Sequence, residues 1–333
     1  MASLAGVSQK TVSRVMNGEP YVKEEVRLRV LQAAQELGYR RNNAARALNS
    51  GRTQRIGVVS LGSALYGPAS MLFELERAAR STGYSLSVVT TFEGDPQGVA
   101  GAIDSLLTEG VDGIVLSEPI DEGENVRLDI DLPVLSLGRF PGLTGPRIVF
   151  TGADGSEAGR IATGHLLSLG HETVWHVAGP QRWWSARDRF DGWQETLRRA
   201  GLAEPPWIEG DWSPASGYAV GARLARNPDV TAVFVANDDM AIGVMRALAE
   251  AGRRVPDDVS VVGLDDIPSA AYQSPPLTTV RQDFGTLARQ GLERLVRQIE
   301  AAESDTPGAL EEPVCLVVRQ STAPPPHPPR RAR

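Results

Sequence analysis

Apolar residues recur at two different periods along this chain, and the change of period divides it. In the first 55 residues the spacing is helical. Val12, Val15 and Met16 share one face of the stretch 9–17, and Val26, Val30, Ala33, Ala34 and Leu37 share a face of a longer stretch, 22–37. Leu4, Ala5 and Val7 form a shorter apolar segment that Gly6 interrupts. Ser8 is placed to cap the helix that follows it, and Gly38 to stop the later one. Residues 41–48 are alanine-rich and helix-capable but too short to hold a helix unaided, and residues 49–51 break them. Beyond Arg55 short apolar runs alternate with amphipathic stretches. The runs 56–61, 86–91, 113–117, 134–137, 174–178, 232–236 and 260–264 predict strands. The stretches 71–82, 155–169, 189–200, 217–225, 240–251 and 284–300 predict helices. Strand–helix alternation of this kind implies parallel sheets with helices on both faces, and its length predicts two similar lobes rather than one open sheet. No short repeat of fixed period is present, which argues against a solenoid.

Charge sharpens the same division. The net charge of -7 hides ten Lys/Arg against four Asp/Glu in residues 1–55, a surplus of six positive charges, and an excess of thirteen acids in the rest. A basic end on an acidic body is the electrostatic footprint of a local polyanion contact. No apolar run is long enough to cross a membrane, and residues 1–10 lack the pattern of a secretory signal, so no membrane partner is expected. A single cysteine, Cys315, excludes an internal disulfide and suits a reducing cytoplasm; within 313–318 it reads as a strand core residue. Four scattered histidines call for no metal, and no cofactor is expected.

Two short helices around the Gly6-Val7-Ser8 turn match a helix-turn-helix, whose second helix meets base edges with its N-terminal residues. Gln9, Lys10, Ser13 and Arg14 share the face opposite Val12, Val15 and Met16. Gln suits adenine, Lys and Arg suit guanine, and Thr11, Ser13 and Asn17 suit phosphates. Charge and spacing alone leave an ordinary helical pair with solvated polar residues equally open. The run from Ala5 to Gly18, continuing through Val30, Ala33, Ala34, Leu37, Gly38, Tyr39 and Asn42 into Ala45-Arg46-Ala47-Leu48, resembles the headpiece of the LacI/GalR family of repressors. The resemblance implies that residues 41–54 form a hinge helix and linker that fold on double-stranded operator DNA, with Asn42 and Ala45 at the DNA and Leu48 wedged into a minor-groove step. Leu48 packed on a partner chain is the plainer reading. Arg41 stands where the family has proline, Lys23 where it has a Ser or Thr cap. The first helix is shorter than the family's, which predicts a start further upstream.

The remainder resembles the same family's regulatory part, similar to periplasmic sugar-binding proteins, and most of all its lactose-responsive members. The segments that carry it are 185–187 with Gly192-Trp193, 209–213, 235–241, 261–266 and 275–284. The expected architecture is an N-terminal all-α helix-turn-helix headpiece (1–40), the hinge (41–54), a two-lobed α/β periplasmic-binding-protein-like core (55–323), and a Pro/Arg tail without fixed structure (324–333). Sugars need planar polar groups for adjacent hydroxyls and an aromatic face for the C–H side of the ring. Asn237 and Asp265 each follow an apolar strand, where open α/β sheets bind ligands, and Arg187 opens a helix. These three are expected to grip hydroxyls, with Trp212 stacked on the ring. Asp154, Gln282, Phe284, Leu65 and Pro68 are weaker candidates. The plain alternatives are that Asn237 and Asp265 are caps, Trp212 is core and Arg187 a surface ion-pair partner. Trp183 and Trp184 either line the cleft or cover it.

The expected protein is therefore a sugar-controlled DNA-binding repressor, a homodimer rather than a tetramer because the chain ends in Pro and Arg instead of a leucine-rich helix. A β-galactoside is the first candidate effector, and a purine corepressor the alternative within the family. An enzyme is not expected. No dinucleotide or phosphate-loop motif and no Gly-x-Ser-x-Gly elbow is present, and His165, His171 and His176 have no evident Ser or Cys partner.

Overall fold

The computed structural model describes residues 1–16, 20–39, 51–92, 98–117, 120, 131–138, 143–145, 147–300 and 310–326. The expected DNA contacts Asn17, Asn42, Ala45 and Leu48 lie outside them. The chain forms two compact units, Met1–Thr53 and Gln54–Arg333.

The first unit holds three helices, α1 (Ala2–Ala5), α2 (Gln9–Met16) and α3 (Glu24–Glu36). Gly6 at φ +62° turns the chain left-handed after α1, a conformation a side chain resists. Ser8 caps α2 by accepting the Thr11 amide at 3.1 Å. Lys23 precedes α3 with no side-chain cap, and Glu24 and Glu25 in the first turn answer the helix dipole instead. Ala5, Val15, Val30 and Ala33 form the small core, flanked by Met1, Val7, Val12, Met16 and Val22.

The second unit is built from two six-stranded sheets of the same layout. The strands are β1 (Arg55–Leu61), β2 (Ser85–Thr91), β3 (Gly113–Ser117), β4 (Val134–Leu137), β5 (Ile148–Ala153), β6 (Trp175–Ala178), β7 (Ile208–Glu209), β8 (Ala232–Val235), β9 (Ser260–Asp265), β10 (Thr278–Arg281), β11 (Leu310–Glu312) and β12 (Cys315–Val317). Lobe 1 is ordered β11-β5-β4-β3-β1-β2, and lobe 2 β12-β10-β9-β8-β6-β7. All pairings are parallel except β12 on β10. Strands β8 and β9 are buried along their whole length, as parallel strands covered on both faces must be.

Helices α4 (Tyr66–Ser81), α5 (Gly98–Thr108) and α10 (Phe284–Glu300) cover lobe 1. Helices α6 (Gly155–Ser168), α7 (Trp184–Arg199), α8 (Pro214–Leu224) and α9 (Asp238–Glu250) cover lobe 2. The chain passes between lobes at Asp154, at Gln282-Asp283 and at Pro313-Val314. Each lobe carries its own apolar core, and one cluster crosses between them, joining Leu61 and Ile120 to Trp183 and Trp212.

One expectation is corrected here. Cys315 lies in a strand, but it is exposed; Val314 is the buried neighbour. β12 is an edge strand on which Cys315 stands opposite the exposed Arg281, so the alternation of side chains turns it outward. Residues 324–326 are described, with Pro325 beside Gly170, and the rest of the tail lies outside the described residues.

Candidate functional site

On α2 the polar face predicted from the sequence is open to solvent. Gln9, Lys10 and Ser13 are exposed, and Thr11 and Arg14 are half-buried beside them, while Val15 on the opposite face is buried. A helix with this division offers donors and acceptors to base edges and phosphates from one side while the other side holds the fold.

In the core, polar side chains gather where the lobe 2 strands end. Asp265, the last residue of β9, is buried, with φ +111°; Asp266 follows at +53° and Trp212 sits at +73°. Non-glycine residues avoid these conformations unless their surroundings hold them there. The Asp266 carboxylate is gripped by Arg281 and Arg319 at 2.6 Å each, and the Asn237 amide donates to the Trp212 carbonyl at 3.1 Å. Asp265 accepts Gln282 Nε2 at 2.7 Å and lies 3.6 Å from the Arg189 guanidinium, which donates to the Ala236 carbonyl at 2.6 Å. Burial pushes the Asp265 carboxyl up to about 6, against the pull of Arg189 and Gln282. Deeper still, Asp238 accepts the Thr279 hydroxyl at 2.6 Å and the Ile267 amide at 2.9 Å, and burial pushes it up to about 8. A β-carbon on Gly263 would come within 2.1 Å of its carboxylate oxygen, so that glycine makes room for it.

Three cavities open beside this cluster, one of which, about 510 Å³, lies against Gln282 and Phe284 with Tyr66, Phe73 and Glu74. Of the other two, the first, about 170 Å³, is lined by Pro68, Ser117, Asp188, Arg189, Gln282 and Phe284, with Trp183, Trp184 and Ser185 on its lobe 2 side. The second, about 370 Å³, is lined by Ser63, Leu65, Phe92, Arg182, Asp211 and Trp212, again with Trp183. The candidates read from the sequence are thus distributed unevenly. Pro68, Gln282 and Phe284 line the first cavity; Leu65 and Trp212 line the second. Asn237 and Asp265 stand behind the walls. Asn237 caps α9 by accepting the Met240 amide at 3.0 Å and fixes the Trp212 loop. Asp265 orients Arg189 and Gln282. Asp154 caps α6, accepting the Glu157 amide at 2.8 Å. Arg187 lines none of the three: its guanidinium lies 4.7 Å over the Trp184 ring and its Nε donates to the Gln181 carbonyl. Trp212 is buried, edge-on to Trp183 at 5.5 Å, with Arg189 5.4 Å from its ring centre.

Sequence reading passed over Arg189, Asp188 and Ser117. Arg189 carried a usable signal. It shares the helical face of Ala186, Trp193 and Leu197, all fully buried, and a lone charge on a buried face needs a partner or a ligand. The histidine reading also needs correction. His171 Nε2 contacts Ser260 Oγ at 3.2 Å. That serine is fully buried and donates to the Ala323 carbonyl at 2.9 Å, so the pair fastens the C-terminal segment and presents no nucleophile. No described helix is long and apolar enough to cross a membrane.

Comparison with known proteins places both units. Residues 1–42 match the model of bacterial regulatory proteins of the lacI family, and residues 163–322 that of a periplasmic binding protein-like domain. The lactose operon repressor of Escherichia coli (strain K12) is 34% identical over 329 residues, 98% of this chain and 90% of its own length. The HTH-type transcriptional repressor PurR of Haemophilus influenzae (strain PittEE) is 32% identical over 305 residues, 90% of each. A crystal structure of the lac repressor dimer bound to operator and the anti-inducer ONPF superposes with a TM-score of 0.81 at 32% identity, covering 97% of both chains. Its fold, its helix-turn-helix and its relatives together make this chain a member of the LacI family of bacterial transcriptional regulators.

Proposed function

We propose that the protein is a repressor whose hold on operator DNA is set by a small sugar bound between the lobes. The observation that carries this reading is the Arg189–Asp265–Gln282 chain. It presents a guanidinium and an amide, both held from behind, to a cavity that also offers Phe284 as an apolar face. Planar polar groups beside an aromatic face suit adjacent hydroxyls and the C–H side of a sugar ring. Ser117, Ser185 and Asp188 add further hydrogen-bonding groups.

Two copies pair through their cores and set two headpieces on a pseudo-palindromic site, with Gln9, Lys10, Ser13 and Arg14 of each at base edges. Ligand in the cleft favours one arrangement of the lobes. That arrangement decides whether residues 41–48 coil against the duplex with Leu48 in a base step. Ligand and operator then affect each other's affinity by the same factor. The protein works in the cytoplasm by binding, with no turnover and no cofactor, and a galactoside is the first effector to test. A purine corepressor is the weaker reading, because a purine calls for two facing aromatic planes and Trp183 meets Trp212 at 72°.

The test is a titration of a duplex, selected by the protein itself from random sequence, against a panel of sugars at fixed ionic strength, because phosphate contacts make affinity steeply salt-dependent. A sugar that changes operator affinity, and a Leu48→Ala variant that loses it, are the expected results. Operator affinity indifferent to every metabolite and to Leu48→Ala overturns the proposal.

A further inference from the structure

We infer that Trp183 is a partition that stops an effector ring in the first cavity from carrying a second ring into the second cavity, and so favours one-ring sugars, an inference that rests on the sugar-sensing reading above. Among the described residues Trp183 is the one that lines both cavities. It is not a loose flap. Its side chain is 6% exposed, it packs edge to face on Trp212, and it belongs to the apolar cluster that joins Leu61 and Ile120 of lobe 1 to lobe 2. Its backbone also forms an antiparallel bridge with Ile120, so the turn carrying the indole is pinned to the opposite lobe as well as to its own.

The chemistry on the two sides of the partition differs. The first cavity holds the hydroxyl-reading set: Ser117, Ser185, Asp188, Arg189 and Gln282. In the second, the one carboxylate, Asp211, is already engaged. It accepts the Ser213 amide at 2.9 Å and the Ser213 hydroxyl at 2.5 Å, and the bond from that hydroxyl, before the other hydrogen bonds it accepts, holds its pKa down. Leu61, Leu65, Phe92, Pro180 and Trp212 make much of the rest of that wall apolar, with Ser63 and Arg182 as its other polar side chains. A ring seated among the hydroxyl readers that carried a second ring toward the other cavity would have to pass through the indole. The indole is of similar size to a pyranose, and two pinned lobes give it nowhere to go. Discrimination here is repulsive, a wall that clashes with the larger competitor rather than a contact it lacks.

The experiment is calorimetry on the full chain with D-galactose, methyl β-D-galactoside, D-glucose, lactose and cellobiose, for the unaltered protein, Trp183→Ala and Trp183→Leu. The expected result is that the unaltered protein binds a one-ring ligand and binds the matching disaccharide weaker by about tenfold or more. In Trp183→Ala the penalty for the second ring shrinks to within about threefold, and the one-ring affinity changes far less than the disaccharide affinity. Trp183→Leu keeps an apolar plug of smaller size. It gives an intermediate penalty, and it serves as the readout if the alanine variant does not fold. The inference is overturned if the unaltered protein binds a disaccharide as tightly as its single ring, or if the penalty is the same in all three proteins. Absence of binding by every sugar, with operator binding intact, overturns the sugar reading and this inference with it, and so is told apart from failure of the partition alone.

Discussion

The two lobes repeat one sheet plan, yet the ends of their strands carry different chemistry. Strands β1 to β5 of lobe 1 finish in small, apolar or hydroxyl residues: Leu61 before Gly62, Thr91, Ser117, Leu137 before Gly138, and Ala153; β11 alone ends on an acid, Glu312. The central strands of lobe 2 finish among ionisable and amide groups: Asn237 and Asp238 after β8, Asp265 and Asp266 around the end of β9, and Arg281 on β10. Arg189 joins them from α7. The packing differs in the same sense. In lobe 1 a β-carbon on Gly57, Gly113 or Gly291 would meet side-chain tips at 2.8–2.9 Å. In lobe 2 one on Gly217 or Gly243 would meet backbone oxygen at 2.0–2.1 Å. Duplicating a fold therefore does not duplicate its tolerance. Lobe 2 is a hydrogen-bonded frame that fixes its polar groups, and lobe 1 supplies a smoother wall to set against them.

The sharpest way to break this comparison is at Arg189. Replacing it with Met keeps the bulk and removes the charge, leaving the buried Asp265 without its counter-ion. Loss of one partner of a buried pair costs about 3–5 kcal/mol. Arg189→Met should therefore lower the melting temperature of the core sharply and abolish the response of operator binding to sugar. Ser117→Ala, on the lobe 1 wall, should leave the melting temperature almost unchanged and only weaken the response. Equal effects at the two positions would erase the distinction between frame and wall.

Next in size is the packing contrast. Gly243→Ala sets a methyl group 2.0 Å from the Pro214 carbonyl oxygen, where helices α8 and α9 touch, and backbone cannot step aside as a side chain can. Gly57→Ala meets the Leu106 methyls at 2.8 Å, and a leucine tip can rotate. Overpacking costs about 1–3 kcal/mol, and Gly243→Ala belongs at or above the upper end and Gly57→Ala at the lower. Urea denaturation of the two variants would measure the difference.

Ionisation gives a smaller effect, again from lobe 2. Burial raises Asp238 from 3.8 to about 8, with Asp265 and Asp266 adding to the rise. The folded state thus holds this proton more tightly than the unfolded chain. Its contribution to stability is complete below pH 3.8 and is lost as pH rises through 8. Asp265, raised to about 6, behaves alike over a narrower range. Histidines work in the opposite sense. Burial lowers His176 from 6.5 to about 3 and lowers His165 and His171 as well, so they remove stability only as pH falls below 6.5. Between pH 6.5 and 8 Asp238 acts without them. The melting temperature should fall across that interval, and Asp238→Asn should flatten the fall. A flat profile in the unaltered protein would mean that Asp238 is ionised and solvated.

How much of this the sequence disclosed follows from what each feature depends on. The division at Arg55, the capping Ser8, the alternation of strands and helices and the strand-end placement of Asn237 and Asp265 all rest on local spacing, and they are visible in one dimension. Strand β5 escaped because its Thr-Gly-Ala end dilutes its apolar run, and β7 because it spans only Ile208 and Glu209. Helix α5 begins at Gly98 after a Pro- and Gly-containing stretch that reads as loop. The hydrogen bonds by which Asn237 and Asp154 cap helices and Asp265 braces Gln282 depend on which backbone amide or side chain stands within 3 Å, and spacing does not encode that. Nor does it encode that Trp183 would meet Ile120 across the cleft.

Arg187 and Arg189 make the last and finest test, because they lie two residues apart on one helix and the sequence reading chose Arg187 alone. Two residues along a helix turn a side chain by about 200°, so they cannot serve one site equally. Arg189 points inward, where it meets Asp265 and the Ala236 carbonyl. Arg187, half-buried, lies over Trp184 and donates to Gln181 on the approach to the Trp183 turn. An arginine over an indole at a half-exposed site is worth about 0.5–1 kcal/mol, and that is the scale of the stability loss expected for Arg187→Met. Its effect on sugar affinity should be indirect, through the seating of Trp184, and stay within about fivefold, since 0.5–1 kcal/mol corresponds to about two- to fivefold. Calorimetry on Arg187→Met beside Arg189→Met measures both. If Arg187→Met abolished sugar binding while Arg189→Met spared it, the ligand would lie on the outer face of α7, and lobe 2 would lose its claim to be the reading lobe through Asp265.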